Sequence, residues 1–455
     1  MGKRKRTASK TKASKIAKLE KDDKVEDVSE HDTVPETFDL KEEKLENVKK
    51  KFGMVKSDED FKDWIKGKDY LVYNPSGIKS SEKIASFDLD DTLIVSKSGK
   101  KFADSWNDWK FLYDEIPGKL KSLDEDGYKL IIFSNQGGIG KGKLKEKDFK
   151  KKINAIVSKL GLKIQVFVAT AYSSIYRKPC TGMFDLFVKE YNSGVEVNHN
   201  EMFYIGDAAG RPADWAPKKK KDFSNSDRLF ALNCNLKFYT PEKYFLQQEE
   251  AAFTMPVFSP VEVLKTSTEL QIKYDNNFHK TTNDIKEILP KDSADLVLVL
   301  MVGSPGSGKS TFCKKYLEPL GFSIINRDTL KTWQKCVAET RRLFDENKSV
   351  VIDNTNPDVA TRERYISVAE ECGVKHIICC IFDVSDEQSK HNEHFRQLTV
   401  KSHDNVSEMV FKMHKNKYAE PTAGEKFTEI CKIVPGLEFD NEDHKNLYSK
   451  YLLDK

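Results

Sequence analysis

No apolar stretch in this 455-residue chain approaches the ~20 residues that a membrane span needs, so an integral membrane protein is not expected. The N-terminus is basic rather than signal-like, which speaks against secretion. Cysteines with metal spacing are missing too. Cys180, Cys234, Cys313, Cys336, Cys372, Cys379, Cys380 and Cys431 form no C-x-x-C pair, and a reducing compartment fits them best. Cys379 and Cys380 fall inside an apolar run and read as strand core. No internal repeat is visible. Net charge is only +4, so a nucleic-acid surface has to come from local patches. What is present is 38% hydrophobic and 33% charged residues, the composition of a soluble chain with room for two or three domains.

Four segments separate along the chain. Residues 1–58 open with Lys3-Arg4-Lys5-Arg6 and are poor in aromatics, reading as a basic, disordered arm and linker. The arm suits nuclear import, and a merely solvated tail is the alternative. Residues 59–248 carry strand-like runs that end in polar residues, at 86–88, 131–134, 166–170 and 204–207, with a lysine-rich helical stretch at 144–160. That alternation predicts a parallel sheet with chemistry at the strands' carboxyl ends. Residues 249–292 lack periodicity and read as a connector. A second α/β pattern over 293–455 has runs at 296–302, 323–326, 350–353 and 376–382.

Two phosphate-handling motifs sit on these patterns. The first is Asp88-Leu89-Asp90-Asp91-Thr92, a D-x-D-x-T box after an apolar run. Alone it is weak, because aspartate pairs at strand ends occur by chance. Ser134, Lys178 and Asp207 then follow in the order of a haloacid-dehalogenase-type phosphatase. A carboxylate is a feeble nucleophile unless cations draw the phosphate onto it. Asp88 therefore needs Lys178 and a Mg²⁺ ion, for which Asp88, Asp90 and Asp207 are the expected ligands. Asp90 shares Asp88's side if the backbone stays extended, and is the candidate acid and base. Ser134 offers its hydroxyl to a phosphate oxygen. Helix-capping aspartates in a generic doubly wound fold are the bland alternative.

The second motif is a P-loop, G-x-x-x-x-G-K-[ST], between an apolar strand and a helical stretch. Backbone N–H groups turn inward over Gly303, Ser304, Gly306, Ser307, Gly308 and Thr311, and the helix N-terminus adds its dipole. Lys309 reaches for the β/γ-phosphates of ATP, and Ser310 is a Mg²⁺ ligand. Asp353 reads as a Walker-B-type acid or an N-cap. Asp328, after the next strand, reads as the base for an acceptor hydroxyl or, again, as a cap.

Several of the stretches FDLDDTLI, GYKLIIFSNQGGIGKGKL, RKPCTGM, YIGDAAGRPADWAP, INRDTLKTWQKCV and HNEHFR belong to no general phosphatase or kinase motif. Together with the P-loop, they make the chain resemble the eukaryotic polynucleotide kinase 3′-phosphatases over about residues 68–450. The resemblance implies an α/β fold in which a haloacid-dehalogenase-like phosphatase is followed by a P-loop kinase, both with parallel sheets. It implies removal of 3′-phosphates through an aspartyl phosphate and ATP-dependent phosphorylation of 5′-hydroxyls at nicks, gaps and double-strand breaks in nuclear DNA. Arg327 and Lys335 match basic positions near the 5′ end, and Arg396 matches a lid arginine over ATP. Two features depart from the pattern. The segment before the phosphatase is too short for a forkhead-associated domain, which leaves recruitment by repair scaffold proteins open. Asp91, Glu393 and His394 also stand where other residues are commoner.

An RNA-end healing enzyme or metabolite kinase/phosphatase and a non-catalytic scaffold are the competing readings. The basic runs at 141–151 and at Lys218, Lys219, Lys220 and Lys221 favour a DNA-handling enzyme, with ordinary solvated helix faces as the weaker alternative, and a monomer is expected.

Overall fold

In the computed structural model, residues 61–454 are described apart from 101–104, 276–277, 293, 402 and 404. The arm expected over 1–58 lies outside them.

The first half is built on β1 (Trp64–Lys66), β2 (Tyr70–Tyr73), β3 (Ile84–Phe87), β6 (Lys129–Asn135), β7 (Ile164–Ala169), β8 (Met202–Ile205) and β9 (Lys237–Tyr239). They lie in the order β1-β2-β7-β6-β3-β8-β9. A small ribbon, β4 (Ile94–Val95) with β5 (Lys110–Phe111), stands apart. Strands β3, β6, β7 and β8 are buried on both faces and are nearly all apolar, as parallel strands between two helical layers must be. One layer includes α1 (Glu146–Leu160), which seats Phe149, Ile153 and Ile156 on the sheet. The opposite layer includes α2 (Ser226–Asn233).

The second half is a sheet in the order β11-β10-β16-β15-β12-β14-β13. Its members are β10 (Gln271–Tyr274), β11 (Lys280–Thr282), β12 (Val297–Val302), β13 (Ser323–Ile325), β14 (Val350–Ile352), β15 (His376–Phe382) and β16 (Glu429–Val434). Cys379 and Cys380 are buried in β15, as expected, and none of the eight cysteines is bonded to another.

The α/β class and both folds agree with the sequence reading, with two corrections. The sheets are mixed, since β1, β2, β10 and β11 run antiparallel to their neighbours at the edges. And the stretch read as a pure connector supplies β10 and β11. These strands are three or four residues long, and only Ile272 is buried among them, so their sequence carries no apolar run to see.

Register explains where the chemistry sits. Phe87 pairs with both Ile132 and Ile205, so β3 and β8 end side by side and Asp88 and Asp207 emerge together. Leu300 and Ile325 both pair with Ile352, which brings the residues after β12, β13 and β14 to one edge.

Candidate active sites

At the first edge the Lys178 ammonium is almost fully buried and donates to Asp88 Oδ1 (2.6 Å), Asp227 Oδ1 (2.7 Å) and the Tyr204 hydroxyl (2.7 Å). Burial alone lowers a lysine pKa, yet Asp227 and Asp88 outweigh it and hold Lys178 charged. Carboxylate oxygens of Asp88, Asp207 and Asp227 lie within 4.8 Å of one another. Burial, together with the neighbouring Asp227, lifts the Asp88 carboxyl to about 7 despite Lys178. Asp207 is pushed up in the same way, by burial first and then by Asp227 and Asp88. Three carboxylates against one lysine leave an uncompensated negative charge close to that of a divalent cation, and the donors are hard oxygens. The cluster fits Mg²⁺.

Asp227 was missed by the sequence reading. It lies in the first turn of α2, where an acid is ordinary on dipole grounds alone. Its place at the centre depends on Gly206, because a Cβ at 206 would lie 2.5 Å from the Asp227 side chain. Asp227 Oδ2 also accepts the Ala208 N–H (3.0 Å).

The Asp90 side chain lies outside this cluster. β3 stops at Phe87, and Asp91 adopts a left-handed φ of 59°, so the backbone does not stay extended. The Asp90 carboxylate instead accepts from Lys152 Nζ (2.8 Å) on α1 and from Gln136 Nε2 (2.6 Å). Gln136 also donates to Ser134 Oγ (2.9 Å), so Asp90 and Ser134 share one partner at the mouth. Thr92 Oγ1 donates to Asp207 Oδ1 (3.2 Å). Lys218, Lys219, Lys220 and Lys221 are all exposed, on a loop tied to this site. Arg211 clamps that loop by donating to Asp222 (2.8 Å) and to the Asp207 carbonyl (3.0 Å). Of the 141–151 run, Lys141 covers the Tyr172 ring at 3.6 Å and Lys150 pairs with Glu146.

At the second edge, Gly303 to Thr311 wrap around the buried Lys309 Nζ, which donates to the Gly303 and Ser304 carbonyls (3.0 and 2.6 Å) and to Ser307 Oγ (3.1 Å). Burial lowers its pKa to about 8. Ser304 Oγ is buried without a partner, an orphan polar atom inside the cradle that a phosphate oxygen would satisfy. Ser310 is the second residue of α3 (Lys309–Phe312); burial raises the pKa of the nearby Asp353, and the Ser310 hydroxyl opposes that rise. Gly306 has φ 76°, and a Cβ there would lie 2.3 Å from the Ser389 carbonyl, so the loop backs closely onto α7 (Asp386–Thr399). Arg396 lies on the same helix, half-exposed, and its charge is felt at Lys309.

Both capping alternatives are answered. Asn326, rather than Asp328, caps α4 (Arg327–Leu330), and Asp358, rather than Asp353, caps α6 (Val359–Glu371). Asp328 is exposed, and its charge is felt at Asp353. Arg327 begins α4, and its N–H donates to Asn354 (2.9 Å). Lys335 is exposed on the first turn of α5 (Trp333–Asp345). Glu393 is buried and ties the loop after α7 through the Val406 N–H and His403. Burial lowers the His394 pKa.

Residues 83–245 match the family model of the polynucleotide kinase 3 phosphatase, and residues 298–421 match that of an AAA domain. The bifunctional polynucleotide phosphatase/kinase of Schizosaccharomyces pombe is 34% identical over 374 residues, covering 82% of this chain and 84% of that protein. The chain belongs to the bifunctional polynucleotide phosphatase/kinase family. Other relatives match a smaller share of the chain. The polynucleotide 3′-phosphatase of Saccharomyces cerevisiae is 28% identical over 36% of this chain and 87% of its own length. That of Arabidopsis thaliana is 40% identical over 37% of this chain and 25% of its own length.

Proposed function

We propose that the chain removes 3′-phosphates from DNA ends with the Asp88 site and phosphorylates 5′-hydroxyls from ATP with the P-loop site. The observation that carries this reading is that two separate phosphate-handling centres stand on one chain of this family, each at the carboxyl edge of its own sheet. At the first, Asp88 Oδ attacks phosphorus, the bond to the 3′-oxygen breaks, and Asp90 gives that oxygen its proton. The resulting aspartyl phosphate is cleaved by a water that Asp90 deprotonates, which returns Asp88 and releases inorganic phosphate. Lys178 neutralises charge on the phosphoryl oxygens, and Ser134 orients them. Asp88, Asp207 and Asp227 would hold a Mg²⁺ ion, which supplies further charge neutralisation when bound.

At the second site the P-loop amides, Lys309 and Arg396 hold the ATP phosphates, with Ser310 and Asp353 on the metal side. Asp328 takes the proton of the 5′-hydroxyl as its oxygen attacks the γ-phosphorus and ADP leaves. Arg327 and Lys335, with the four lysines at 218–221, hold DNA phosphates around the two sites. Together the steps leave a 5′-phosphate facing a 3′-hydroxyl, the ends a ligase joins, and a monomer working on nuclear strand breaks alongside repair scaffold proteins fits them.

A nicked duplex bearing 3′-phosphate and 5′-hydroxyl termini, incubated with Mg²⁺ and ATP, tests the reading. Wild type should convert both termini, Asp88→Ala only the 5′ terminus and Lys309→Ala only the 3′ terminus. Loss of both conversions in either well-folded variant would defeat the two-centre assignment.

A further inference from the structure

Beyond the two centres, the last residues of the kinase half run along the phosphatase half. α8 (Glu442–Tyr448) ends at Tyr448, which is buried and donates from its hydroxyl to Asn392 Oδ1 (2.5 Å). The other end of the Asn392 amide donates to the Gly306 carbonyl in the P-loop (2.9 Å). Three residues on, the chain meets α2. Tyr451 N–H donates to Asn233 Oδ1 (2.9 Å), and the Tyr451 carbonyl accepts from Asn233 Nδ2 (2.8 Å). Lys450 Nζ reaches the Asn233 carbonyl (3.0 Å), and the Asp454 carbonyl accepts the Asn225 N–H (3.0 Å). The tail therefore lies antiparallel along α2, from its last residue to its N-cap, with Leu452 buried between.

Asn233 is the joint. Its second amide hydrogen goes to the Pro179 carbonyl (2.8 Å), one residue after Lys178. α2 thus touches the Lys178 loop at both ends, through Asp227 on the ammonium and through Asn233 on the backbone. An amide with both hydrogens and its oxygen engaged in a buried place has one orientation available, and the tail supplies two of those three bonds. Without Tyr451, the Asn233 side chain loses what aims it at Pro179.

We infer that Asn233 and the tail segment 450–454 are positioning residues of the phosphatase, contributed across the chain by the kinase half. They hold the Lys178–Pro179 backbone, and hence the ammonium, at the reacting aspartate. The inference rests on the assignment of Lys178 to phosphoryl-transfer chemistry. The tail touches no reacting group, since its bonds reach Lys178 only through Asn233 and Pro179. The tail therefore tunes the rate rather than switching it on.

The test uses the full chain carrying Asn233→Ala, Tyr451→Pro (which deletes the N–H donor), Tyr451→Phe (which keeps both backbone bonds) or Lys178→Ala. Phosphatase kinetics are measured on a 3′-phosphorylated oligonucleotide and on p-nitrophenyl phosphate, with the 5′-kinase rate as the check on folding. Losing one buried, orienting hydrogen bond should lower kcat roughly tenfold on both substrates in Asn233→Ala and Tyr451→Pro. KM and the kinase rate should stay put, and Tyr451→Phe should match wild type. Rates within twofold of wild type in both disrupting variants overturn the inference, and so does a loss confined to the oligonucleotide or shared by the kinase. If Lys178→Ala itself retains full phosphatase rate, the underlying assignment fails instead.

Discussion

Asp227 offers the most exacting test of the phosphatase centre, because nothing in the motif pattern marks it. Asp227→Asn keeps the shape and one of the two acceptor oxygens, and removes one negative charge from a group whose oxygens lie within 4.8 Å of one another. Taking the 4.8 Å that bounds the oxygen–oxygen separations as an illustrative distance to a dication, Coulomb's law gives about 1.7 kcal/mol at the dielectric of water and about 7 kcal/mol at an effective value near 20. The smaller figure already corresponds to more than a tenfold loss of Mg²⁺ affinity, since each decade is about 1.4 kcal/mol. Lys178 keeps Asp88 as its partner, so the ammonium is not stranded and the fold should survive. The assay is phosphatase rate against Mg²⁺ concentration, with the kinase rate of the same preparation as internal control. Half-maximal Mg²⁺ for the phosphatase should rise at least tenfold while that for the kinase stays fixed. An unchanged Mg²⁺ requirement would remove Asp227 from the metal site. If the rate fell all the same, Asp227 would act through Lys178 alone.

Three further outcomes follow from the geometry. Asp328→Asn should lower the kinase rate by about two orders of magnitude, in line with general-base contributions, with ATP binding and phosphatase intact; since Asn326 is the cap, a rate within about threefold of wild type would place the base elsewhere. In chelator, thermal stability should fall as pH rises. The Asp88 carboxyl is near 7 in the fold against 3.8 unfolded, so its contribution is complete below 3.8 and lost as pH passes 7. Melting curves of wild type and Asp88→Asn between pH 5 and pH 8 should differ by that slope, and parallel curves would refute it. Charge reversal at 218–221 should weaken phosphatase action on an oligonucleotide far more than on a small phosphate ester, with a shallower salt dependence. Equal losses on both substrates would remove those lysines from DNA binding.

How much of this was legible depends on the distance over which each feature is encoded. β3, β6, β7 and β8, like β12, β13, β14 and β15, were visible because each is a local apolar run ending in a polar residue. Their parallel register then fixes Asp88 beside Asp207 with no further information. Edge strands such as β10 and β11 escaped, because a short strand with one solvated face carries too few apolar residues to stand out. The direction of the Asp90 side chain escaped for a conformational reason. Side-chain alternation holds only while the backbone is extended, and here the strand ends at Phe87, ahead of the left-handed Asp91. Asp227 and Asn233 escaped for a third reason. The first looks like any acid in a helix's opening turn, and the second like any asparagine near a helix end. Only the folded contacts, with Lys178 on one side and Tyr451 on the other, give the two ends of α2 a role at the phosphatase centre. A bond between residues 218 positions apart in sequence leaves no local signature in either. A linkage between two active sites on one chain has to be built from contacts of this kind, so it is the part of such an enzyme that motif reading reaches last.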